Sequence, residues 1–288
     1  MITPELLRSI EPSFARIEEA YIDFEGERIG WHSTCFGNES VALGSGYSSV
    51  RDEARRIAIA ETLERAFFKR IVFSPESSEF LIPEYPTSCG FAAGFHWGST
   101  QFRSLCEAVE RWALEQWIDE DCPFDEIRKG DLRLSVLAEF FAASFCDLLF
   151  YRKELSVDYD GKLVPLVCGV VVGLTESGAY IGARVSSSED DIWTHPLIEA
   201  WRHKKIFEKV QDTPPDALSE VRRKIQFFGR NRDVALAQVA NTKHGTWAIP
   251  KVRLKKEYKT GIPGIFVWRH LIDGFKGWQL GPLERFLY

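Results

Sequence analysis

One block occurs twice and constrains the fold more than any other feature. Gly46 to Arg70 reads GYSSVRDEARRIAIAETLERAFFKR, and Gly90 to Trp117 reads GFAAGFHWGSTQFRSLCEAVERWALEQW. Each has a glycine-containing lead-in, where tight turns and close backbone approach are permitted. Each continues into an apolar-faced helical pattern that carries Glu-x-x-Glu-Arg. In the second copy Phe102, Leu105, Val109, Trp112, Ala113 and Trp117 form the apolar face, and Ser99 or Thr100 is placed to cap the helix. The pairs are Glu61 and Glu64 with Arg65, then Glu107 and Glu110 with Arg111. Two copies indicate an internal duplication, not a solenoid.

A lone Glu-x-x-Glu-Arg reads as a solvated helix face with one ion pair at four-residue spacing. Two copies shift the reading. Four carboxylates that converge repel one another and raise one another's pKa. A hard cation resolves that conflict, and carboxylate oxygens with substrate phosphates suit Mg²⁺. Arg111 would then meet phosphate through its planar fork.

These stretches resemble the YcaO-domain family. GFAAG followed by EAVERWALEQW is similar to that family's Gly-x-Ala-Ala-Gly and Glu-x-x-Glu-Arg helix, and SGYSSVRDEARRIAIAETLERA to its first nucleotide-binding helix. VPLVCGVVVGL, then GAYIGARVSSSEDDIWTHPLIEAWRHKK, resembles the third block, a buried strand, a glycine turn and a helix centred on Glu199. FVWRHLIDGFKGWQLGPLERFLY resembles the final strand and tail more loosely.

The resemblance implies an α+β, YcaO-like fold, with duplicated glutamate helices packed on mixed β-sheet. Residues 1–43 would lead into a domain spanning 44–288, the whole chain forming one continuous domain. It implies Mg-ATP-dependent activation of a peptide backbone amide. In the azoline-forming members a Cys, Ser or Thr side chain attacks the preceding carbonyl, the resulting oxygen is phosphorylated, and phosphate leaves a thiazoline or oxazoline. Other members use sulfide or an amine and give thioamides or amidines. Such chemistry serves peptide natural-product biosynthesis, bacteriocins included.

By the resemblance Glu61, Glu64, Glu107 and Glu110 hold Mg²⁺. Arg111 contacts phosphate, Glu199 orients the nucleotide or a metal, and Arg202 reaches phosphate where the family has glutamine. Glu107, Glu110 and Arg111 are the catalytic set. The implied partners are a precursor peptide, a ThiF-like or similar peptide-recognition protein and a flavin dehydrogenase of the same pathway, with a homodimer left open. Ile57, Ser45 and Trp112 depart from the family's polar pattern, as does Arg202. They support a second reading, a YcaO-like scaffold or peptide-binding subunit that has lost catalysis.

The bulk of the chain agrees with a globular enzyme. At 288 residues it can bury a large core. A net charge of −6 argues against a nucleic-acid partner. No apolar run is long enough for a membrane helix. MITPELLRSIEPSF lacks the basic start and apolar run of a signal peptide, so the cytoplasm is expected. The six cysteines include no Cys-x-x-Cys, and the six histidines, without metal-ligand spacing, read as structural. No Walker loop and no Gly-x-Gly-x-x-Gly is present, so a nucleotide needs another architecture.

Locally, Leu6, Leu7, Ile10 and Phe14 predict an amphipathic helix within residues 1–20. Residues 21–44 predict short strands and turns. Ser49 to Asp52 predicts a capping box. Residues 72–88, rich in proline and serine, predict an exposed connection. Residues 133–150 predict a buried helix, and 165–174 a buried strand. A helix is expected from about Thr194 and another over 214–232, ended by Gly229. Lys251, Arg253, Lys255 and Lys256 form a basic patch read as a solvated edge.

Overall fold

The computed structural model describes residues 3–188, 192–241, 244–277 and 281–288. The chain divides into two compact units. Unit 1 comprises residues 1–107 and 254–271, and unit 2 comprises 108–253 and 272–288. None of the described helices is long and apolar enough to cross a membrane.

In unit 1, helix α1 (Pro4–Ile10) precedes the antiparallel strands β1 (Phe14–Phe24), β2 (Glu27–Gly37) and β3 (Ala42–Ser48). α1 is shorter than the expected helix. Glu11 leaves it in extended conformation because a residue before proline, here Pro12, disfavours the α region. Phe14 therefore opens a strand, yet it still joins Leu7 and Ile10 in the core. Helix α2 (Arg51–Val72) lies on this sheet. Its core face is Ala58, Leu63, Phe67 and Ile71.

Gly44 and Gly46 let α2 come this close. A Cβ on Gly44 would sit 2.4 Å from the Ala58 carbonyl, and one on Gly46 would sit 2.1 Å from the Ala54 carbonyl. The N-cap of α2 is Val50, not the expected Ser49. Ser48 does the capping work instead: its hydroxyl accepts from Val50 N (3.1 Å) and donates to Glu53 (2.7 Å).

The segment expected to be an exposed connection turns inward. Phe80 and Ile82 are buried. The reason is Arg269, fully buried, which donates to the carbonyls of Phe80, Tyr85 and Thr87. A buried guanidinium needs such partners, and these fold the segment around it. Arg269 lies on β10 (Phe266–Ile272), which pairs antiparallel with β4 (Phe91–Gly94) in a sheet whose third strand is β9 (Val252–Tyr258). The basic patch falls on and just before β9, and Lys256 there meets Glu79. Helix α3 (Trp97–Asp119) follows β4 and contains the division between the units. It starts at Trp97, so Ser99 and Thr100 lie in its first turn, where Thr100 Oγ1 donates to the His96 carbonyl (2.7 Å).

In unit 2, β5 (Asp125–Ile127), β6 (Asp147–Tyr159), β7 (Lys162–Leu174) and β8 (Ala179–Ser186) form an antiparallel sheet in that order. The expected strand over 165–174 lies within β7. The helix expected over 133–150 does not persist. α4 covers only Val136–Ala142, and the end of the stretch, from Asp147, opens β6. An all-apolar run does not distinguish buried helix from buried strand, and pairing along the whole of β7 decides for the strand. Helix α5 (Thr194–Val210) starts where expected and lies on β8. α6 (Glu220–Phe228) ends at Gly229, and α7 (Arg232–Asn241), which the sequence pattern did not reveal, follows. The α+β class holds, and among the described residues the strands form three sheets.

The last residues of the chain are buried in unit 2. Phe286, Leu287 and Tyr288 are all inaccessible, and the buried Lys224 donates to the Leu287 carbonyl (3.3 Å). Arg285 forms an ion pair with Asp119 and lies 3.7 Å from Glu115. Glu115 is 1% exposed and accepts from Lys276 N (2.9 Å). Burial pushes its pKa up to about 7, against Lys276 N and Arg285.

Two predictions test this packing. Gly46→Ala should drive a methyl group into the α2 backbone and destabilise the protein by roughly 1–3 kcal/mol, seen as a lower urea midpoint at unchanged m. Glu115 binds its proton more tightly folded than unfolded. Its contribution to stability is therefore complete below its ordinary value of 4.5 and is lost as pH rises through about 7. Relative to wild type, Glu115→Gln should gain about 3 kcal/mol between pH 5 and pH 8. Equal pH dependence of the two proteins in urea melts would contradict this.

Candidate functional site

The site residues are fixed by one device, used once in each unit. In unit 1, Ser45 N on β3 donates to Glu61 Oε2 on α2 at 2.7 Å, 16 residues away. In unit 2, Ala183 N on β8 donates to Glu199 Oε2 on α5 at 2.9 Å, again 16 residues away. Four residues beyond each glutamate, a second side chain reaches the same strand. Arg65 donates to the Leu43 carbonyl (2.9 Å), and His203 Nδ1 donates to the Ile181 carbonyl (2.8 Å), both spanning 22 residues. β3 and β8 are the last strands of their sheets, and an edge strand exposes unpaired N–H and C=O groups that these side chains satisfy.

A glycine makes each approach possible. Gly182 plays the part of Gly44 and Gly46, since a Cβ there would lie 2.1 Å from the Pro196 carbonyl of α5. Each unit thus contains an antiparallel sheet, a glycine on its last strand, and a helix whose glutamate is locked to that strand. The duplication visible in the sequence joins α2 to α3. The structure adds a third copy on α5, where Glu199, Arg202 and His203 stand in the places of Glu61, Glu64 and Arg65.

In unit 2 the second and third blocks meet. The Arg111 guanidinium lies 3.3 Å from Glu110 Oε1 and 3.5 Å from Glu199 Oε1. All three side chains are mostly buried, at 15%, 9% and 18% exposure respectively. Burial alone would raise the Glu199 pKa, but Arg111, with the neighbouring histidines and the Ala183 N–H, lowers it. Glu199 therefore stays ionised and Arg111 stays oriented. Cys168, fully buried, has its thiol pushed well up by burial and by Glu110.

Two histidines belong to this cluster. His195, in the first turn of α5, is solvent-exposed yet crowded by the chain. The resulting loss of water, with Arg184, Arg202 and Arg111, pushes its pKa down to about 4, against Glu199. Burial likewise lowers the His203 pKa, opposed by Glu199 and by its bond to Ile181. Both rings are neutral at neutral pH. Reading every histidine as structural thus missed two that border Glu199. Arg184 was also missed, although it follows directly on the residue that locks Glu199. The only signal available was the 16-residue spacing. Trp112 turns away from this chemistry, being buried 5.9 Å from the Trp247 ring.

In unit 1, Glu61 is also paired with Arg65 at 2.5 Å. Glu64 is half-buried one turn further, and Ile57, 42% exposed, lies one turn before Glu61. Glu107 is half-buried on α3, and its charge acts on the buried Arg269 cation. Among the described residues no group of three or more His, Cys, Asp or Glu side chains is arranged to hold a metal ion. Carboxylate oxygens and a guanidinium are the groups that suit a hard cation carried on a ligand's own phosphates.

The fold is YcaO-like. The chain superposes on YcaO from Methanopyrus kandleri bound with AMPPCP and Mg²⁺ with a TM-score of 0.55, at 12% identity, over 96% of this chain and 92% of that one. It matches a chain of the E. coli microcin synthetase McbBCD complex with pro-MccB17 bound at a TM-score of 0.57 and 11% identity, over 88% of this chain and 86% of that one. A heterocyclase in complex with substrate and cofactor gives 0.55 at 12% identity, over 96% of this chain but 53% of that one. The sequence matches no protein-family model and no curated protein.

Proposed function

We propose that this protein is a cytoplasmic, Mg-ATP-dependent YcaO-type enzyme that activates a backbone amide of a ribosomally made peptide. The observation that carries the proposal is Arg111 held between Glu110 and Glu199 within a YcaO-like fold. Phosphoryl transfer asks a protein chiefly for positioning and charge neutralisation. Bound Mg-ATP would supply the phosphoryl group that turns the amide oxygen into a leaving group. In this reading Glu61, Glu64, Glu107 and Glu110 hold the metal. Arg111 presents its guanidinium to phosphate, and Glu199 fixes Arg111 while orienting the nucleotide. Arg202 adds a cation where the other two copies carry a glutamate. The product is an azoline, a thioamide or an amidine, and a peptide-recognition partner supplies the precursor.

A second reading, a scaffold or peptide-binding subunit without catalysis, has its own support. Glu61 is already satisfied by Ser45 N and Arg65, and the exposed Ile57 offers no polar group on the turn before it.

Calorimetric titration with AMPPCP, with and without Mg²⁺, separates the two. Magnesium-dependent binding is expected, weakened about tenfold or more by Glu107→Gln. Product formation from the precursor should vanish in the same variant. Absence of binding in the wild-type chain, alone and with candidate partner proteins, would leave the scaffold reading in place.

A further inference from the structure

The edge of β8 is closed by three side chains in succession. The Tyr288 hydroxyl donates to the Ala179 carbonyl (3.3 Å) and accepts from Ile181 N (3.4 Å). His203 Nδ1 meets the Ile181 carbonyl, and Glu199 accepts from Ala183 N. The His203 ring also stands edge-on to the Tyr288 ring, 4.9 Å between centroids. A carbonyl oxygen only accepts, so His203 Nδ1 carries the proton. In the neutral ring Nε2 is then an acceptor with nothing to offer a carboxylate.

Comparison of the two edge locks gives this detail its meaning. In unit 1 a single arginine does two jobs: Arg65 bonds the strand at Leu43 and neutralises Glu61. In unit 2 the corresponding histidine bonds the strand alone. Glu199 Oε1 is thereby left to Arg111. We propose that His203 is a positioning residue, an uncharged anchor that holds α5 on β8 without competing with Arg111 for Glu199, so that Arg111 stays aimed at the nucleotide's phosphates. This rests on the nucleotide reading above and adds a residue to it. Replacing the anchor with a cation would return Glu199 to the arrangement of Glu61 and release Arg111.

Three variants test it. Asparagine places an amide N–H close to the position of imidazole Nδ1, so His203→Asn keeps the strand bond. His203→Ala removes it, and His203→Arg adds the competing charge. AMPPCP affinity in the presence of Mg²⁺ should stay within about threefold of wild type for His203→Asn and fall about tenfold or more for the other two. Melting temperature should fall for both His203→Asn and His203→Ala, because both lose the ring against Tyr288, and further for His203→Ala, which also loses the strand bond. An affinity that tracks melting temperature, with His203→Asn as weak as His203→Ala, would reduce His203 to packing. Wild-type affinity in His203→Arg would overturn the proposal as well.

Failure of the wild-type chain to bind AMPPCP would instead remove the nucleotide reading. Anchoring is then read from the Glu199 carboxyl titration by ¹³C NMR. An upward pKa shift in His203→Ala and none in His203→Asn supports the anchor, and identical titration in all variants refutes it.

Discussion

The structure depends on a hydrogen bond between a helix carboxylate and the backbone N–H of an edge strand. Ser45 N to Glu61 and Ala183 N to Glu199 are the two instances, and each ties a helix to the end of a sheet. Neither could form without glycine beside it, because the helix backbone occupies the space a Cβ would need. The bond serves two ends. It caps an otherwise unpaired edge, and it fixes a carboxylate oxygen to the main chain, where side-chain freedom cannot blur its position.

Electrostatics then distinguish the two locks. Buried carboxylates lose hydration and must be compensated. Glu61 is compensated by Arg65 on its own helix, a local pair that neutralises it. Glu199 is compensated by Arg111 from a different helix, so the same physical need joins α5 to α3 inside unit 2. Glu115, further along α3, shows the opposite outcome. Its compensation by Lys276 N and by Arg285 at 3.7 Å is too weak to offset burial, and it holds its proton to about pH 7. Glu199 on α5 and Glu115 on α3 thus titrate in opposite directions, according to the partner each meets.

Local sequence was a fair guide where the chain decides matters locally. The helices bearing Glu61, Glu107 and Glu199, the strand over 165–174 and the stop at Gly229 all follow from periodicity and breakers. It failed where a distant group intervened. Residues 72–88 have an exposed composition, yet Arg269, far along the chain, holds the Phe80 carbonyl while the Phe80 ring packs against Phe91 and Tyr258. Residues 133–150 are apolar enough for one helix, but the helix stops at Ala142 and the ladder to β7 takes the end of the stretch from Asp147.

By itself the sequence determined which residues bear charge on apolar-backed helices: the Glu-x-x-Glu-Arg copies and Glu199, which are sufficient to suggest the YcaO-like fold. Spacing along one helix is a local property, so it is written in the chain. Only the tertiary structure decided what those charges meet. That Glu199 repeats the edge lock of Glu61, that His203 replaces Arg65, and that Arg111 falls between Glu110 and Glu199 depend on which strand becomes an edge and which helix lies on it. Those are long-range choices made by burial and backbone pairing, and no short window of residues contains them.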